Sequence, residues 1–213
     1  MREYILPLVY SCVAVTILGY SLLGNSARAN AAEETAILAG GCFWCVESDY
    51  DHVPGVISTT SGYIGGELPN PTYKAVSAGG TGHIEAVKIV FDPGKTSYSD
   101  ILDVFWRSVD PTDDGGQFCD RGESYKTAIF ATTDAQKETA QSSKAALNGS
   151  GILKKPIVTE IRTAPEFYPA EDYHQDYYNK NPIRYKFYRF SCGRDARIEE
   201  LWGDQAHQGI MDH

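Results

Sequence analysis

The sequence predicts an α+β fold, a two-layer mixed β-sheet with flanking helices. Three observations carry that reading. Short runs rich in β-branched residues alternate with stretches of helical periodicity. The 213 residues are 42% hydrophobic, which is enough apolar material for one sizeable core. No internal repeat or low-complexity tract divides the chain into an array.

The elements follow in order. Residues 5–24 are almost continuously apolar and precede two Ala-x-Ala sites, Ala27-Arg28-Ala29 and Ala29-Asn30-Ala31. We read residues 1–31 as a secretory signal peptide, with an uncleaved membrane anchor as the alternative. Residues 32–213 form a single domain whose tail, from about residue 167, reads as irregular. Residues 36–39 read as a buried strand, Gly40-Gly41 as a tight turn, and residues 42–51 as a helix. A β-branched strand follows over 55–63, then a loop rich in Gly, Pro and Asn over 64–82. Residues 85–91 alternate as a half-buried strand, stopped by Asp92-Pro93-Gly94. Ser99 is placed as the cap of a helix over 100–108, with Ile101, Leu102, Phe105 and Trp106 as its buried stripe. A second loop covers 110–124. A strand over 126–131, a helix over 134–147 and a strand over 157–164 complete the alternation. Short helices are expected around 171–179 and 195–202.

A formal net charge of -9 argues against nucleic acid, which is bound by Lys/Arg surfaces. The mature chain keeps four cysteines, Cys42, Cys45, Cys119 and Cys192. Four are too few to serve as a disulfide scaffold in a chain with a full core. A zinc site would need a second close pair beside Cys42 and Cys45, and Cys119 and Cys192 stand alone in sequence, so no metal is expected. Cys42 falls at a helix start, where unpaired N–H groups favour a thiolate. Phe43 and Trp44 lie beside it and suit a small apolar group attached to an electrophilic atom. Taken singly these readings are weak. A Cys-x-x-Cys is more often a redox dithiol, Phe43 and Trp44 would more often be core, Glu85 a solvated strand residue, and Tyr73 and Tyr125 packed tyrosines.

Four blocks change the balance: "GCFWCVE" at 41–47, "GHIEAV" at 82–87, "QFCDRGESY" at 117–125 and "PAEDYHQDYY" at 169–178. In that order they resemble the signature blocks of the A type of peptide methionine sulfoxide reductase, across nearly all of the mature chain. The resemblance implies reduction of methionine-S-sulfoxide, free or in proteins, to methionine. It implies Cys42 as the nucleophile that becomes a sulfenic acid, and Phe43 and Trp44 as the hold on the substrate methyl. Glu85 would protonate the sulfoxide oxygen, Tyr73 and Tyr125 would hydrogen-bond it, and Asp120 is a polar residue of the same pocket. A second thiol then condenses the sulfenic acid to a disulfide, which an outside dithiol resets, thioredoxin or a protein like it. Cys192 and Cys45 are the leading candidates for that second thiol, with Cys119 behind them. The fold expected is a ferredoxin-like sandwich core with long aromatic-rich loops.

His83 and His174 are read as supporting groups. Glu47, Asp49 and Asp51 are read as the solvated face of the first helix. No bound cofactor is expected, a monomer is the default, and the signal segment implies export to a periplasm-like space. Two rival readings remain: a general thiol-disulfide oxidoreductase using Cys42 and Cys45, and a secreted binding protein stabilised by two disulfides.

Overall fold

A computed structural model describes residues 32–211 together with Met1. The expected signal segment, apart from Met1, lies outside the described residues. Six strands form one mixed sheet: β1 (Glu34–Gly40), β2 (Val56–Ile64), β3 (Ile84–Phe91), β6 (Thr127–Ala131), β7 (Glu160–Thr163) and β8 (Phe167–Pro169). Their spatial order is β7-β6-β1-β3-β2-β8. The β6/β7 pair is parallel and the other neighbours are antiparallel. Two further strands, β4 (Gly116–Gln117) and β5 (Asp120–Arg121), make a small hairpin. The helices are α1 (Phe43–Asp51), α2 (Tyr73–Ser77), α3 (Tyr98–Trp106), α4 (Asp134–Gly149), α5 (Tyr177–Lys180), α6 (Pro182–Ser191) and α7 (Arg194–Trp202). Among the described residues no helix is long and apolar enough to cross a membrane.

The mixed sheet with packed helices is the architecture that the sequence predicts. Strand β1 lies in the middle of the sheet and is buried on both faces, which explains its continuous apolar run. Ala36 and Leu38 join a large cluster with Phe43, Val46, Ile101, Phe105, Ile198 and Trp202. Ile37 and Ala39 face the other way, with Ile64, Ile84 and Phe130.

Several local expectations are corrected. Ser97, not Ser99, caps α3: its Oγ accepts from Asp100 N, and Asp100 Oδ2 accepts from Ser97 N at 2.8 Å. The Ser97-x-x-Asp100 spacing is a reciprocal capping box, and it starts the helix two residues earlier than the apolar stripe suggests. The loop over 64–82 contains α2, and the loop over 110–124 contains the β4/β5 hairpin. The strand expected over 157–164 is confined to β7, and the helix expected around 171–179 is a run of turns followed by α5. The tail from about residue 167 is not irregular, since it supplies β8 and the helices α5, α6 and α7.

The acidic face of α1 is the largest correction. Glu47 and Asp49 are 1% and 0% exposed, because the C-terminal helices cover the side of α1 that its charges suggest is solvated. Arg189 of α6 meets Asp49 at 2.7 Å and also grips Asp195, while Arg194 of α7 bonds the backbone carbonyls of Gly40 and Ser108. Breaking a buried pair of this kind leaves a stranded charge at a cost of about 3–5 kcal/mol, so the pair fastens the tail to α1. Among the described residues Glu47 forms no such ion pair, and burial raises its pKa to about 7.

Candidate active site

Strand β1 delivers the chain into Gly40-Gly41 and then Cys42, the N-cap of α1. Both glycines are required. A Cβ on Gly40 would fall 2.9 Å from Val46 and Val109, and Gly41 has φ +83° with Gln117 Cβ only 2.5 Å from where its own would stand. Gln117 is itself fixed by bonds to the N–H and C=O of Asp110. The turn therefore seats Cys42 beside the β4/β5 hairpin.

Cys42, Phe43, Trp44, Tyr73, Glu85, Asp120, Tyr125 and Tyr188 line one small cavity of about 50 Å³. Seven of these eight are residues that the sequence singles out, and they come from α1, α2, β3, β5 and the turn before β6. One wall is apolar. The Trp44 indole stacks on Tyr177 at 3.7 Å and 5°, meets Tyr188 edge-on, and donates its N–H to His174 Nδ1 at 3.0 Å. The facing wall is polar. Glu85 is 2% exposed and accepts the first free N–H of α1, from Phe43, at 3.0 Å. Burial raises its pKa to about 8, against the opposing bond from Phe43, so it is mostly protonated at neutral pH. Burial, with Glu85 nearby, also raises the pKa values of Tyr73 and Tyr125, which stay neutral donors. Asp120 is raised by burial while it accepts the Tyr188 hydroxyl, which closes the cavity across α6.

The thiol expectation is corrected. A helix start favours a thiolate by about 0.3–1 kcal/mol when exposed. Cys42 is 7% exposed, and burial of a charge can outweigh that by several pKa units. Burial, the thiol's own bond to Cys45 and the nearby carboxyls of Glu85 and Asp120 hold Cys42 well above the ordinary value. Cys45 is pushed the other way, by that bond from Cys42 and by the charges of Arg194 and Arg189. The more acidic sulfur of the pair is Cys45.

Cys119 and Cys192 are not isolated: they form a disulfide across 73 positions, joining the β4/β5 turn to the end of α6. Cys42 and Cys45 are free thiols. In this state Cys192 is held in a disulfide, and Cys45 is the free thiol nearest to Cys42 in sequence. His83 supports a loop, with Nδ1 accepting from Gly66 N–H and Nε2 contacting Leu68 O. Sequence reasoning missed Tyr177 and Tyr188. Tyr177 lies in the fourth block, but Tyr188 lies in no block, and only its place on the buried side of α6 marks it.

A family model described as peptide methionine sulfoxide reductase matches residues 34–206. The peptide methionine sulfoxide reductase MsrA 2 of Staphylococcus aureus is 53% identical over 173 residues, covering 81% of this chain and 98% of that protein. MsrA of Bacillus pumilus is also 53% identical, over 174 residues, covering 82% and 98%. Among solved structures, reduced Mxr1 of Saccharomyces cerevisiae aligns with a TM-score of 0.65 at 31% identity, over 70% of this chain and 86% of that one. Methionine sulfoxide reductase A of Corynebacterium diphtheriae aligns at 0.64 and 33% identity, over 73% and 78%.

Proposed function

The chain belongs to the peptide methionine sulfoxide reductase family, and from that premise we propose how its own residues carry the reaction. It is a peptide-methionine (S)-S-oxide reductase that reduces methionine sulfoxide with its thiols. The single observation that supports the residue roles is the cavity. Cys42 sits between an apolar wall that fits a methyl group and a polar wall whose Glu85 holds a proton near neutral pH.

The substrate methyl lies against Phe43 and Trp44, and the sulfoxide oxygen points to Glu85, Tyr73 and Tyr125. As the Cys42 sulfur attacks the substrate sulfur, its thiol proton restores the one that Glu85 gives to the sulfoxide oxygen. Glu85 protonates the oxygen as the bond to the substrate sulfur weakens. The net step moves one oxygen atom from substrate to Cys42, leaving methionine and a cysteine sulfenic acid. Cys45 then attacks Cys42, forming the disulfide and releasing the oxygen as water. An external dithiol of the thioredoxin class, itself oxidised to a disulfide, returns the pair to thiols. Asp120 and Tyr188 close the cavity behind the substrate.

The test is a single turnover with the disulfide between Cys119 and Cys192 left intact, no reductant added, and a racemic N-blocked methionine sulfoxide. Loss of the S epimer alone, about one methionine per chain and loss of both free thiols are expected. A Cys45→Ser variant should make the same methionine and hold a sulfenic acid that dimedone traps. Turnover of neither epimer, with reduction of insulin disulfides instead, would favour the oxidoreductase alternative.

The apolar segment at 5–24 and its Ala-x-Ala sites support export to a periplasm-like space. The donor there must be a dithiol protein that reaches that compartment. N-terminal sequencing of the mature protein should begin near Ala32, and an intact Met1 on cytosolic protein would refute export.

A further inference from the structure

We propose that His174 is the positioning residue of the substrate site, acting as the unprotonated acceptor that fixes the plane of the Trp44 indole. The inference rests on the reductase reading and concerns the same cavity.

Four observations carry it. The indole N–H of Trp44 donates to His174 Nδ1 at 3.0 Å, so Nδ1 must be bare and the neutral ring carries its hydrogen on Nε2. His174 is 2% exposed, and its Nε2 has no hydrogen-bond partner among the described residues, so Nδ1 makes the ring's only polar contact there. The ring also touches both walls of the cavity, with centroids 5.0 Å from Phe43, 5.7 Å from Trp44 and 4.5 Å from Tyr73. Finally, Glu171 on the same turn accepts the Tyr73 backbone N–H at 2.9 Å and the Tyr63 hydroxyl at 2.8 Å. One turn, bonded from His174 N to Glu171 O, thus sets the apolar wall through His174 and the oxygen-binding wall through Glu171.

Protonating His174 turns its acceptor into a donor that faces another donor. The indole must then tilt, and the surface offered to the substrate methyl changes. Burial already holds the imidazole pKa below its ordinary value, with Glu171 opposing. The other titratable groups against the ring are Glu171 and Tyr173 on its own segment, Tyr73 on α2 and, through Glu171, Tyr63 on β2. All three tyrosines have raised pKa values, so at acid to neutral pH only Glu171 carries charge there.

Two variants separate positioning from packing. His174→Phe keeps the ring and removes the acceptor. His174→Asn keeps an acceptor where Nδ1 stood, removes the ring and does not titrate. A neutral hydrogen bond of ordinary strength corresponds to about a 5–10-fold effect. His174→Phe should therefore raise KM for N-blocked methionine-S-sulfoxide about 5–10-fold with kcat within about 2-fold, while His174→Asn restores KM to within about 2-fold and loses the acid-side rise in KM.

The readout independent of turnover is the Trp44 indole N–H resonance. It should move and exchange faster with water in His174→Phe and keep its protection in His174→Asn. The Trp106 and Trp202 indoles, bonded to Ser143 and to the Val109 carbonyl, serve as internal controls. An unmoved Trp44 resonance in His174→Phe, or equal KM values in the two variants, overturns the proposal. A wild-type protein without sulfoxide turnover but with the indole shift refutes the reductase reading and leaves the placement of His174 standing.

Discussion

In a Cys42→Ser variant, single-turnover formation of methionine is expected to fall to the uncatalysed level. The hydroxyl that replaces the thiol is a far weaker nucleophile at neutral pH and cannot carry the oxygen as a sulfenic acid. The fold should survive, because Cys42 makes no disulfide and its backbone carbonyl accepts from Cys45 N and Val46 N whatever the side chain. The useful comparison is with Cys45→Ser, which should still complete one turnover. Methionine formed by Cys42→Ser at the wild-type rate would move the nucleophile elsewhere.

Glu85→Gln is expected to lower the single-turnover rate by about 10²–10³-fold while KM changes little. Glutamine keeps an oxygen for the Phe43 N–H and a similar volume in a site that is 2% exposed, so binding and fold persist. It cannot release a proton to the leaving oxygen. The pH dependence has a defined sign. Burial raises the Glu85 pKa to about 8, so the donor form is present below that pH and is lost above it. The wild-type rate should fall as pH rises through about 8, and the variant should lack that limb. Thiol deprotonation acts in the opposite direction, so the difference between the two profiles is the measurement. A variant with the wild-type rate and profile would remove Glu85 from proton transfer.

What the sequence disclosed, and what it withheld, follows from how far each cause reaches along the chain. The β1 strand, the Gly40-Gly41 turn and α1 are legible because periodicity and steric punctuation act within a few residues. Of the seven cavity residues singled out, six lie in three of the short blocks that resemble a family, and Tyr73 is read from the resemblance outside those blocks. The pKa of Cys42 is not legible, since a helix start is visible locally whereas burial depends on Glu85 and Asp120 arriving from other strands. Asp49 reads as solvated because its cation, Arg189, lies 140 positions away. Cys119 and Cys192 read as solitary for the same reason. Helix α2 has five residues, too few to show a period.

The tail's grip on α1 also has a consequence in time. Trp44 finds its hydrogen-bond partner 130 positions downstream, and Asp49 finds Arg189 140 positions downstream. At about 5–20 residues per second of synthesis, those partners emerge on the order of 10 s after the segment they secure. Until then the nascent chain carries its nucleophile and an unclamped indole without the Tyr188 side chain that completes the cavity wall. Competence for repair is therefore acquired late, when α6 docks, and a chain truncated before Tyr188 would display reactive thiols with no pocket to direct them.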